Sequence, residues 1–575
     1  MVSIRIGYLA LAVLAVFFLA GIAAVIILDS DFGNLDVKTV AIPDGDLEIS
    51  GLLYRPKAAT AQKPLPAIIL VHGISSSKQS MSNIALELAR RDFIALSIDV
   101  VGHGRSGGKL EATGDLSLGT LAAVRYIEAQ PYVDASSIAL VGHSLGAGAI
   151  RAAVTVRERI NATVLIAGGF GEMVADQAYG VLNSTFPKNL LVAIGRQDIL
   201  FDLSQVTKEW LPPVFGVSLE VVPNRLYGDF YLGTARKLIT PSTTHLLEPL
   251  DPNIVSETVI WLNKALKSEY VGQQLEESTI YLYREVAMLF SVFVFVGLIF
   301  PVSLHILPIE FPDESKVKTK YGFLVDWKIT VIWGALSTML FFPMFFLGFT
   351  VPFPPVLFGS SIAWWLLVVA ITGLLLLLFV LPKFSNVKLK ISLIIEESFT
   401  RRGVTAPVAL FLLLYLIVYL MELLLDVNLW IFVPVFRVLH PTTRIPVFFI
   451  FIPFFLVFFF VEGMYFYTLR RTSEKTGFLS QAFAMSKIIG IKIAPYLAIM
   501  CIQYIPMFTL EVKILPSSLG FLIEFLPLLT VQFTISTICS WWFHRMTSSI
   551  GTGAIFNTLL FAWISAGAFP FGTFH

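Results

Sequence analysis

Long apolar segments are the feature that most restricts what this chain can fold into. The first runs from Ile6 to Leu28, 23 residues without a charged side chain. About eight more follow Ser268, each long enough to cross a bilayer core of about 30 Å. They lie near 286–307, 329–350, 356–381, 405–425, 445–468, 493–510, 519–543 and 551–570. Because 56% of the 575 residues are hydrophobic and only 14% are charged, an ordinary soluble protein is excluded.

Charged and turn-forming residues concentrate between these segments, in residues 29–284. The pattern predicts an N-terminal transmembrane anchor over 1–28, a folded domain over 29–270, and a C-terminal membrane domain of about eight transmembrane helices over 271–575. A cleaved signal peptide is the alternative for the first segment, but its apolar core is usually about 7–15 residues long. We therefore favour an uncleaved anchor, and both readings put the folded domain on the same side of the membrane.

The positive charges between the apolar segments predict an orientation. With the N-terminus in the cytoplasm, the cytoplasmic loops hold fifteen Lys and Arg residues and the opposite loops hold three. The fifteen are Lys316, Lys318, Lys320, Lys328, Lys383, Lys388, Lys390, Arg401, Arg402, Arg470, Arg471, Lys475, Lys487, Lys492 and Arg545; the three are Arg437, Arg444 and Lys513. This asymmetry follows the positive-inside rule and predicts a multi-pass cell-membrane protein with an extracytoplasmic folded domain. The sequons at Asn161 and Asn183 are compatible with that side.

The folded domain reads as strands that alternate with helices. Apolar β-branched runs lie at 67–71, 93–98, 138–141, 163–167 and 190–194, and helical stretches lie at 79–91, 114–129, 145–158 and 253–267. Short continuous apolar strands between helices are typical of a parallel sheet buried on both faces. A β-rich segment over 36–55 precedes them. The expected fold is therefore a mostly parallel sheet flanked by helices, joined to an all-α membrane domain.

Gly142-His143-Ser144-Leu145-Gly146 matches the pattern G-x-S-x-G. It follows the strand 138–141 and opens a helix rich in small residues, which is the strand-turn-helix setting of a nucleophile elbow. Such a turn exposes the serine Oγ, and the helix N-terminus favours developing negative charge. We predict Ser144 as a nucleophile, and the alternative is a structural serine in a tight turn.

A serine hydroxyl needs a histidine base that a carboxylate orients. Four of the eight histidines belong to the membrane part: His305, His440, His544 and His575. Three others, at 72, 103 and 143, lie in glycine-rich turns, which leaves His245 as the predicted base. The strand 190–194 ends before Asp198, the predicted acid; Asp202 is the alternative, and a loop-capping aspartate is the structural reading. The order Ser, Asp, His agrees with the elbow pattern.

Acyl transfer also requires donors for the oxyanion, each worth about 3–4 kcal/mol where one has been removed. The backbone N–H of Leu145 is one predicted donor. The other is the N–H of Ile74, in the loop that follows the strand ending at Val71. We interpret His72 as structural, bonded to loop backbone.

Three motifs together resemble the α/β-hydrolase superfamily. They are His72-Gly73, the run Asp99-Val-Val-Gly-His-Gly-Arg-Ser-Gly107, and Gly142-His-Ser-Leu-Gly146. The second is most similar to the monoacylglycerol lipase and serine aminopeptidase-like branch, and the likeness covers about 230 residues. The resemblance implies a serine hydrolase of esters, lipids, thioesters or peptides, esters more than peptides, without a cofactor.

One departure from that branch concerns the cap over the active site. The branch often inserts a sizeable cap before the acid strand, whereas only about 20 residues, 168–188, separate the two strands here. The pocket is therefore open, or it is covered by residues 203–235 or by the membrane domain.

Other functions find little support in the sequence. A net charge of +1 gives no reason to expect nucleic acid, and we find no metal-binding spacing, Walker-type loop or dinucleotide-binding glycine pattern. Acids near apolar segments are Glu422, Asp426, Glu462, Glu511 and Glu524; the first four fall near segment ends, where their side chains can reach the interface, and Glu524 lies deeper.

The competing hypothesis is a transporter or receptor with a hydrolase-like ligand-binding domain. The leading one is a membrane-integral serine hydrolase whose partners are the bilayer and an acyl substrate such as a membrane lipid.

Overall fold

The computed structural model describes most of the chain as two compact units. The described residues are 2–111, 114–157, 159–170, 181–267, 279–307, 327–384, 391–430, 435–440, 442–471, 478–547 and 549–572. The first unit takes its described residues from 2–22, 288–502 and 525–567, and the second from 23–287, 503–524 and 568–572. Two segments from the C-terminal half of the chain thus join the unit that contains the predicted hydrolase domain.

A nine-stranded sheet forms the centre of the second unit. Its strands are β1 Leu35–Asp44, β2 Leu47–Pro56, β3 Leu65–Val71, β4 Ile94–Ile98, β5 Val133–His143, β6 Ala162–Ile166, β7 Leu190–Ala193, β8 Leu226–Tyr227 and β9 Arg236–Ile239. They lie in the order β1-β2-β4-β3-β5-β6-β7-β9-β8. Six neighbouring strands pair in parallel, namely β4, β3, β5, β6, β7 and β9, while β1, β2 and β8 each pair antiparallel at the ends of the sheet. The predicted mostly parallel sheet is confirmed.

Helices pack against the sheet, whose central strands are continuous apolar runs buried at nearly every position. The helices of this unit beyond the N-terminal one are Ser82–Ala89, Thr120–Glu128, Leu145–Val156, Leu203–Gln205, Pro212–Phe215, Pro252–Leu266 and Ser517–Ile523, with 3-10 turns at Lys78–Met81 and His245–Leu250 and a π-type turn at Val206–Trp210. Ile68, Leu70 and Val141 point to one face and pack with helices Ser82–Ala89 and Pro252–Leu266. The carboxyl ends of the parallel strands lie at one edge of the sheet, where the loops that follow them meet.

Within the described residues, nine helices are long and apolar enough to cross a membrane. Their spans are Gly7–Asp29, Tyr281–Ile306, Lys328–Thr350, Gly359–Lys383, Arg401–Leu425, Arg444–Tyr465, Met485–Leu510, Leu526–Thr547 and Ile550–Ala568. The remaining elements outside the sheet are a short helix Ile391–Ser398, a π-type turn Leu376–Val380 with helix Leu381–Phe384, and a two-stranded ribbon of Leu429–Trp430 and Val435–Phe436. Nine such helices are consistent with a multi-pass membrane protein.

One predicted segment differs from the structure. The sequence predicts an apolar crossing over 519–543, but two helices occupy this region, Ser517–Ile523 and Leu526–Thr547. Pro527 lies in the first turn of the second helix, where its missing N–H costs nothing, whereas it would break a continuous helix. Glu524 therefore lies at the junction, outside the span, and belongs to the second unit.

The helix Phe478–Leu510 begins earlier than the predicted segment 493–510. Lys487 and Lys492, predicted in a cytoplasmic loop, lie inside this helix. Lys492 is buried in the first unit, where it forms an ion pair with Glu462 and its amine donates to Ser536 Oγ at 3.2 Å. Glu462 is 1% exposed, so the prediction that it reaches the interface is wrong.

Six other cations that the sequence places in cytoplasmic loops lie outside the described residues, and so does His575. The six are Lys316, Lys318, Lys320, Lys388, Lys390 and Lys475.

Candidate active site

Ser144 occupies the sharp turn between strand β5 and the helix Leu145–Val156. Its φ is 53° and its ψ is −116°, a conformation that non-glycine residues rarely adopt. A Cβ added at Gly146 would lie 2.2 Å from the carbonyl oxygen of Val71, and one at Gly142 would lie 2.4 Å from that of Gly146. The backbones can approach this closely only because glycine flanks the serine. The strained turn keeps the hydroxyl above the sheet edge.

His245 lies between Ser144 and Asp198. Its Nε2 is 3.0 Å from the Ser144 Oγ, and its Nδ1 is 2.8 Å from Asp198 Oδ2. Asp198 is completely buried and His245 is 6% exposed. The fold thus brings His245 together with Ser144 and Asp198, which are 101 and 47 positions away from it along the chain. The catalytic roles given to these residues by the sequence stay predictions, and the distances are those that a nucleophile, a base and an orienting acid require.

The charge of Asp198 controls the ionisation of His245. Burial alone would lower the pKa of the imidazole, but the charge of Asp198 and its hydrogen bond outweigh burial, and the charge of Glu524 adds to them. The pKa of His245 is therefore raised above 6.5. A base with a raised pKa accepts the serine proton more readily and remains largely neutral at moderately alkaline pH.

A short turn fixes the carboxylate of Asp198, whereas Asp202, the alternative acid, caps a helix. Asp198 Oδ1 accepts a hydrogen bond from the backbone N–H of Leu200 at 2.7 Å, which leaves Oδ2 for the imidazole. Asp202 instead caps the short helix Leu203–Gln205, where its Oδ1 accepts from the N–H of Ser204 at 2.8 Å. Asp202 therefore has the capping geometry, and Asp198 faces His245.

The two predicted oxyanion donors lie in segments that flank the serine. Leu145 is the first residue of its helix, so its N–H has no acceptor within the helix. The loop that contains Ile74 passes close by, since a Cβ at Gly73 would lie 3.1 Å from the Cβ of Ser144. The ring of His72 fixes this loop, because its Nε2 accepts from the N–H of Val100 at 3.2 Å. Ile74 and Leu145 remain predicted donors.

Glu248 is a functional candidate that the sequence did not indicate. It follows His245 by one turn and is completely buried. Its Oε1 accepts from the N–H of Gly195 at 2.6 Å, and its Oε2 lies 3.4 Å from Nε2 of His143. Burial, and then the neighbouring charge of Asp198, raise the pKa of Glu248 well above 4.5. Glu248 thus ties together the acid loop, the histidine loop and the elbow.

His143 completes this arrangement from inside the elbow. Its Nε2–H donates to the carbonyl oxygen of His245 at 3.1 Å. Burial, and then the nearby His245, lower the pKa of His143 well below 6.5, so it stays neutral. Ligand atoms of His143, His245 and Glu248 lie within 4.8 Å of one another, which is close enough for a metal ion. Both nitrogens of His245 are already hydrogen-bonded, so a metal there would have to displace Ser144 or Asp198.

A buried ion pair supports the loops around the elbow. Lys78 Nζ lies 2.7 Å from Asp99 Oδ2 and donates to Ser50 Oγ at 3.0 Å, and both charged side chains are 1% exposed. Asp99 begins the glycine-rich motif, and a Cβ at Gly104 would lie 2.2 Å from its carboxyl carbon. The motif therefore wraps a carboxylate that pairs with the lysine following the His72 loop.

Aromatic rings line the space next to the imidazole. The ring of Phe201 lies 6.3 Å from that of His245, and Phe170 lies 5.1 Å from Phe201. Trp210, from the π-type turn, lies 6.4 Å from both phenylalanine rings. Trp210 is thus the residue of 203–235 whose ring contacts this pair of phenylalanines. What covers the pocket stays a prediction, and residues 171–180 of the short predicted cap lie outside the described residues.

The strand order and the turn at Ser144 define the α/β-hydrolase fold, as the sequence motifs predict. Residues 62–207 match the family model described as serine aminopeptidase, S33. The chain therefore contains an α/β-hydrolase fold that is similar over 62–207 to the expected branch, joined to a helical part with apolar helices that fits a membrane domain.

Several known proteins are similar to part of this chain. Uncharacterized proteins of Mycobacterium tuberculosis and Mycobacterium bovis are 30% identical over 106 residues, 18% of this chain and 29% of theirs. The chain thus spans less than a third of the length of these curated relatives. Among solved structures, an esterase of Pyrococcus furiosus is 18% identical with a TM-score of 0.32, covering 41% of this chain and 96% of its own. A bacterial heroin esterase is 14% identical with a TM-score of 0.30, covering 41% and 85%.

Proposed function

We propose that this protein is a membrane-integral serine hydrolase that cleaves an ester, thioester or amide acyl bond. Ser144 is the nucleophile, His245 the base and Asp198 the acid that orients it. The single observation that carries the proposal is the position of the His245 ring, with one nitrogen 3.0 Å from the Ser144 Oγ and the other 2.8 Å from Asp198.

The proposed step moves one proton and forms one bond. As the Ser144 Oγ attacks the acyl carbon, its proton passes to Nε2 of His245, and the Asp198 carboxylate stabilises the imidazolium. The N–H groups of Leu145 and Ile74 then stabilise the oxyanion. His245 returns the proton to the leaving group, and water hydrolyses the acyl-enzyme in the reverse sense.

An apolar acyl group fits the surroundings of the triad. Phe170 and Phe201 are 2% and 3% exposed, and their rings meet Trp210 next to His245. Aromatic side chains favour burial of a hydrocarbon chain over a charged one. An ester of a fatty acid, such as a lipid from the outer leaflet, is the substrate class that we propose.

The positions along the chain of the three segments that make up the second unit support an integral membrane arrangement. Its three segments, 23–287, 503–524 and 568–572, follow the first, seventh and ninth apolar spans among the described residues. Chain segments after odd-numbered crossings emerge on one side of a bilayer, so these three can fold together. With the charge asymmetry of the loops, we propose that this side is extracytoplasmic.

Labelling with a fluorophosphonate probe in intact membranes tests the proposal. Wild-type protein should label, whereas Ser144→Ala should not, and Ser144→Ala or His245→Ala should lower kcat/KM for a short-chain ester by several orders of magnitude. A loss below tenfold for either variant would exclude the assignment. Protease added outside intact cells should cleave within 29–284 and spare 383–402, and the opposite pattern would reverse the orientation.

A further inference from the structure

The segment 503–524, called the connector below, packs against the loop that presents the catalytic acid. It joins the apolar helix Phe478–Leu510 to the apolar helix Leu526–Thr547. Pro516 begins a short helix, Ser517–Ile523, within it. The connector belongs to the second unit although it lies more than 300 residues after Asp198 in the chain.

Contacts from the connector reach the residues on both sides of Asp198. The amine of Lys513 donates to the carbonyl oxygen of Phe201. A Cβ at Gly520 would lie 2.4 Å from Cγ1 of Ile199, so the connector helix touches the residue that follows the acid. On the other side of Asp198, the guanidinium of Arg196 lies 3.8 Å from Oε1 of Glu511.

The same segment contains a buried carboxyl that interacts electrostatically with the triad. Glu524 is 4% exposed, and its charge acts on both His245 and Asp198. One of its oxygens is hydrogen-bonded to the Tyr504 hydroxyl, while Oε1 has no partner among the described residues. A carboxyl buried at such a place costs free energy unless it serves a nearby positive charge.

We propose that three residues of the connector contribute to catalysis: Lys513 and Gly520 are positioning residues for the Asp198 loop, and Glu524 stabilises the imidazolium that His245 becomes. This inference rests on the proposed serine hydrolase function. Its consequence is that the hydrolase fold formed by residues 29–270 lacks part of its own site, because a loop between two apolar helices supplies it.

The ionisable groups around Glu524 determine the pH dependence of kcat/KM that the proposal predicts. They are His245, Asp198, the Tyr504 hydroxyl and Glu248. Burial raises the pKa of Glu524 to about 7, Asp198 adds to the rise, and His245 and the Tyr504 hydrogen bond oppose it. Since Glu524 raises the pKa of His245, Glu524→Gln should move the acid limb of kcat/KM to lower pH.

Variants of the full-length protein in nanodiscs test the positioning role, with a p-nitrophenyl ester as substrate. Lys513→Met and Gly520→Ala should lower kcat about tenfold or more with little change in KM, because a displacement of about 1 Å can cost about 10²-fold. Lys513→Arg should restore most of the rate, since a guanidinium can donate to the same carbonyl. Ile514→Ala is the matched control, because Ile514 is 52% exposed and should behave as wild type.

The outcomes separate this inference from the function on which it rests. If Lys513→Met, Gly520→Ala and Glu524→Gln all keep the wild-type kcat and acid limb while Ser144 still labels, the connector has no catalytic role. If Ser144→Ala still labels or hydrolyses, the serine mechanism itself fails. Should Gly520→Ala not fold, as judged by size-exclusion chromatography, the nearly isosteric Glu524→Gln variant decides by its pH profile alone.

Discussion

Glu248 Oε1 accepts a hydrogen bond from the backbone N–H of Gly195, and the 2.6 Å contact joins the histidine loop to the acid loop. The two residues are 53 positions apart, yet each lies three residues from a member of the triad. Gly195 allows the approach, since a Cβ there would lie 2.2 Å from the carbonyl oxygen of Thr243. The geometry between His245 and Asp198 therefore depends on a carboxyl group that does not touch the reacting atoms.

Two substitutions of Glu248 should distinguish the effect of losing its hydrogen bond from the effect of losing its ionisable group. Glu248→Gln keeps an acceptor for the Gly195 N–H, so we expect kcat within a few-fold of wild type. Glu248→Ala leaves the Gly195 N–H buried without a partner, which should cost about 1–3 kcal/mol of stability and lower kcat at least about tenfold. Ester hydrolysis and thermal unfolding of both variants measure this, and equal loss in Gln and Ala would contradict the proposed role.

The pH dependence of kcat/KM should report His245. Only the neutral imidazole can accept the serine proton, and its pKa is raised above 6.5, so activity should fall as pH drops, with an inflection above 6.5. Asp198→Asn removes the main cause that raises the pKa, and burial then lowers it. The inflection should move below 6.5 while the plateau rate falls by about 10⁴.

Asp202→Asn is the matched control for that experiment. Asp202 caps a helix and does not contact the imidazole, so its variant should keep the wild-type inflection. If Asp202→Asn shifts the inflection and Asp198→Asn does not, the two aspartates must exchange roles.

The buried pair of Lys78 and Asp99 predicts a large stability effect. Lys78→Met leaves the Asp99 carboxylate buried without its cation, which typically costs about 3–5 kcal/mol. The double variant Lys78→Met/Asp99→Asn should recover part of the loss, because no charge then remains unpaired. Chemical unfolding of the detergent-solubilised protein measures the differences. Lys57→Met, at an exposed lysine, should be within about 0.5 kcal/mol of wild type, and an equal loss there would show a non-specific effect.

The sequence predicts the parts of the site that local pattern encodes. The elbow follows from its glycines, since Gly142 and Gly146 occupy positions where any Cβ would clash with backbone. The strands follow from continuous apolar runs, and β3 to β7 lie within a few residues of the predicted ranges. These features depend on neighbours in the sequence, so one chain is enough to find them.

The sequence does not predict contacts that only the tertiary fold creates. Glu248 is an ordinary acid in a loop until the fold places it next to Asp198. Glu524 reads as an intramembrane acid, because the apolar run around it hides the break between Ile523 and Leu526. Pro516 and Pro527 were the available signals, since prolines at this spacing favour two helix starts over one continuous crossing.

The last described residues form backbone hydrogen bonds with the glycine-rich motif loop of the second unit. The N–H of Phe571 donates to the carbonyl oxygen of Gly102 at 2.8 Å, and the N–H of Leu110 donates to that of Phe571 at 2.8 Å. The loop between these two contacts contains Arg105 and Lys109, which trypsin recognises. The pairing should therefore protect this loop from trypsin in the purified, nanodisc-embedded protein.

Deletion of residues 571–575 should remove that protection. Two backbone hydrogen bonds are lost, each worth about 0.5–1.5 kcal/mol, so local opening should become roughly 5- to 150-fold more frequent and cleavage after Arg105 or Lys109 correspondingly faster. Deletion of 573–575 alone leaves both bonds and is the control. Mass spectrometry of timed digests identifies the sites. If the two deletions are cut at the same rate, the contact of Phe571 does not hold the loop, and its stability must come from the Lys78–Asp99 pair and the surrounding glycine turns.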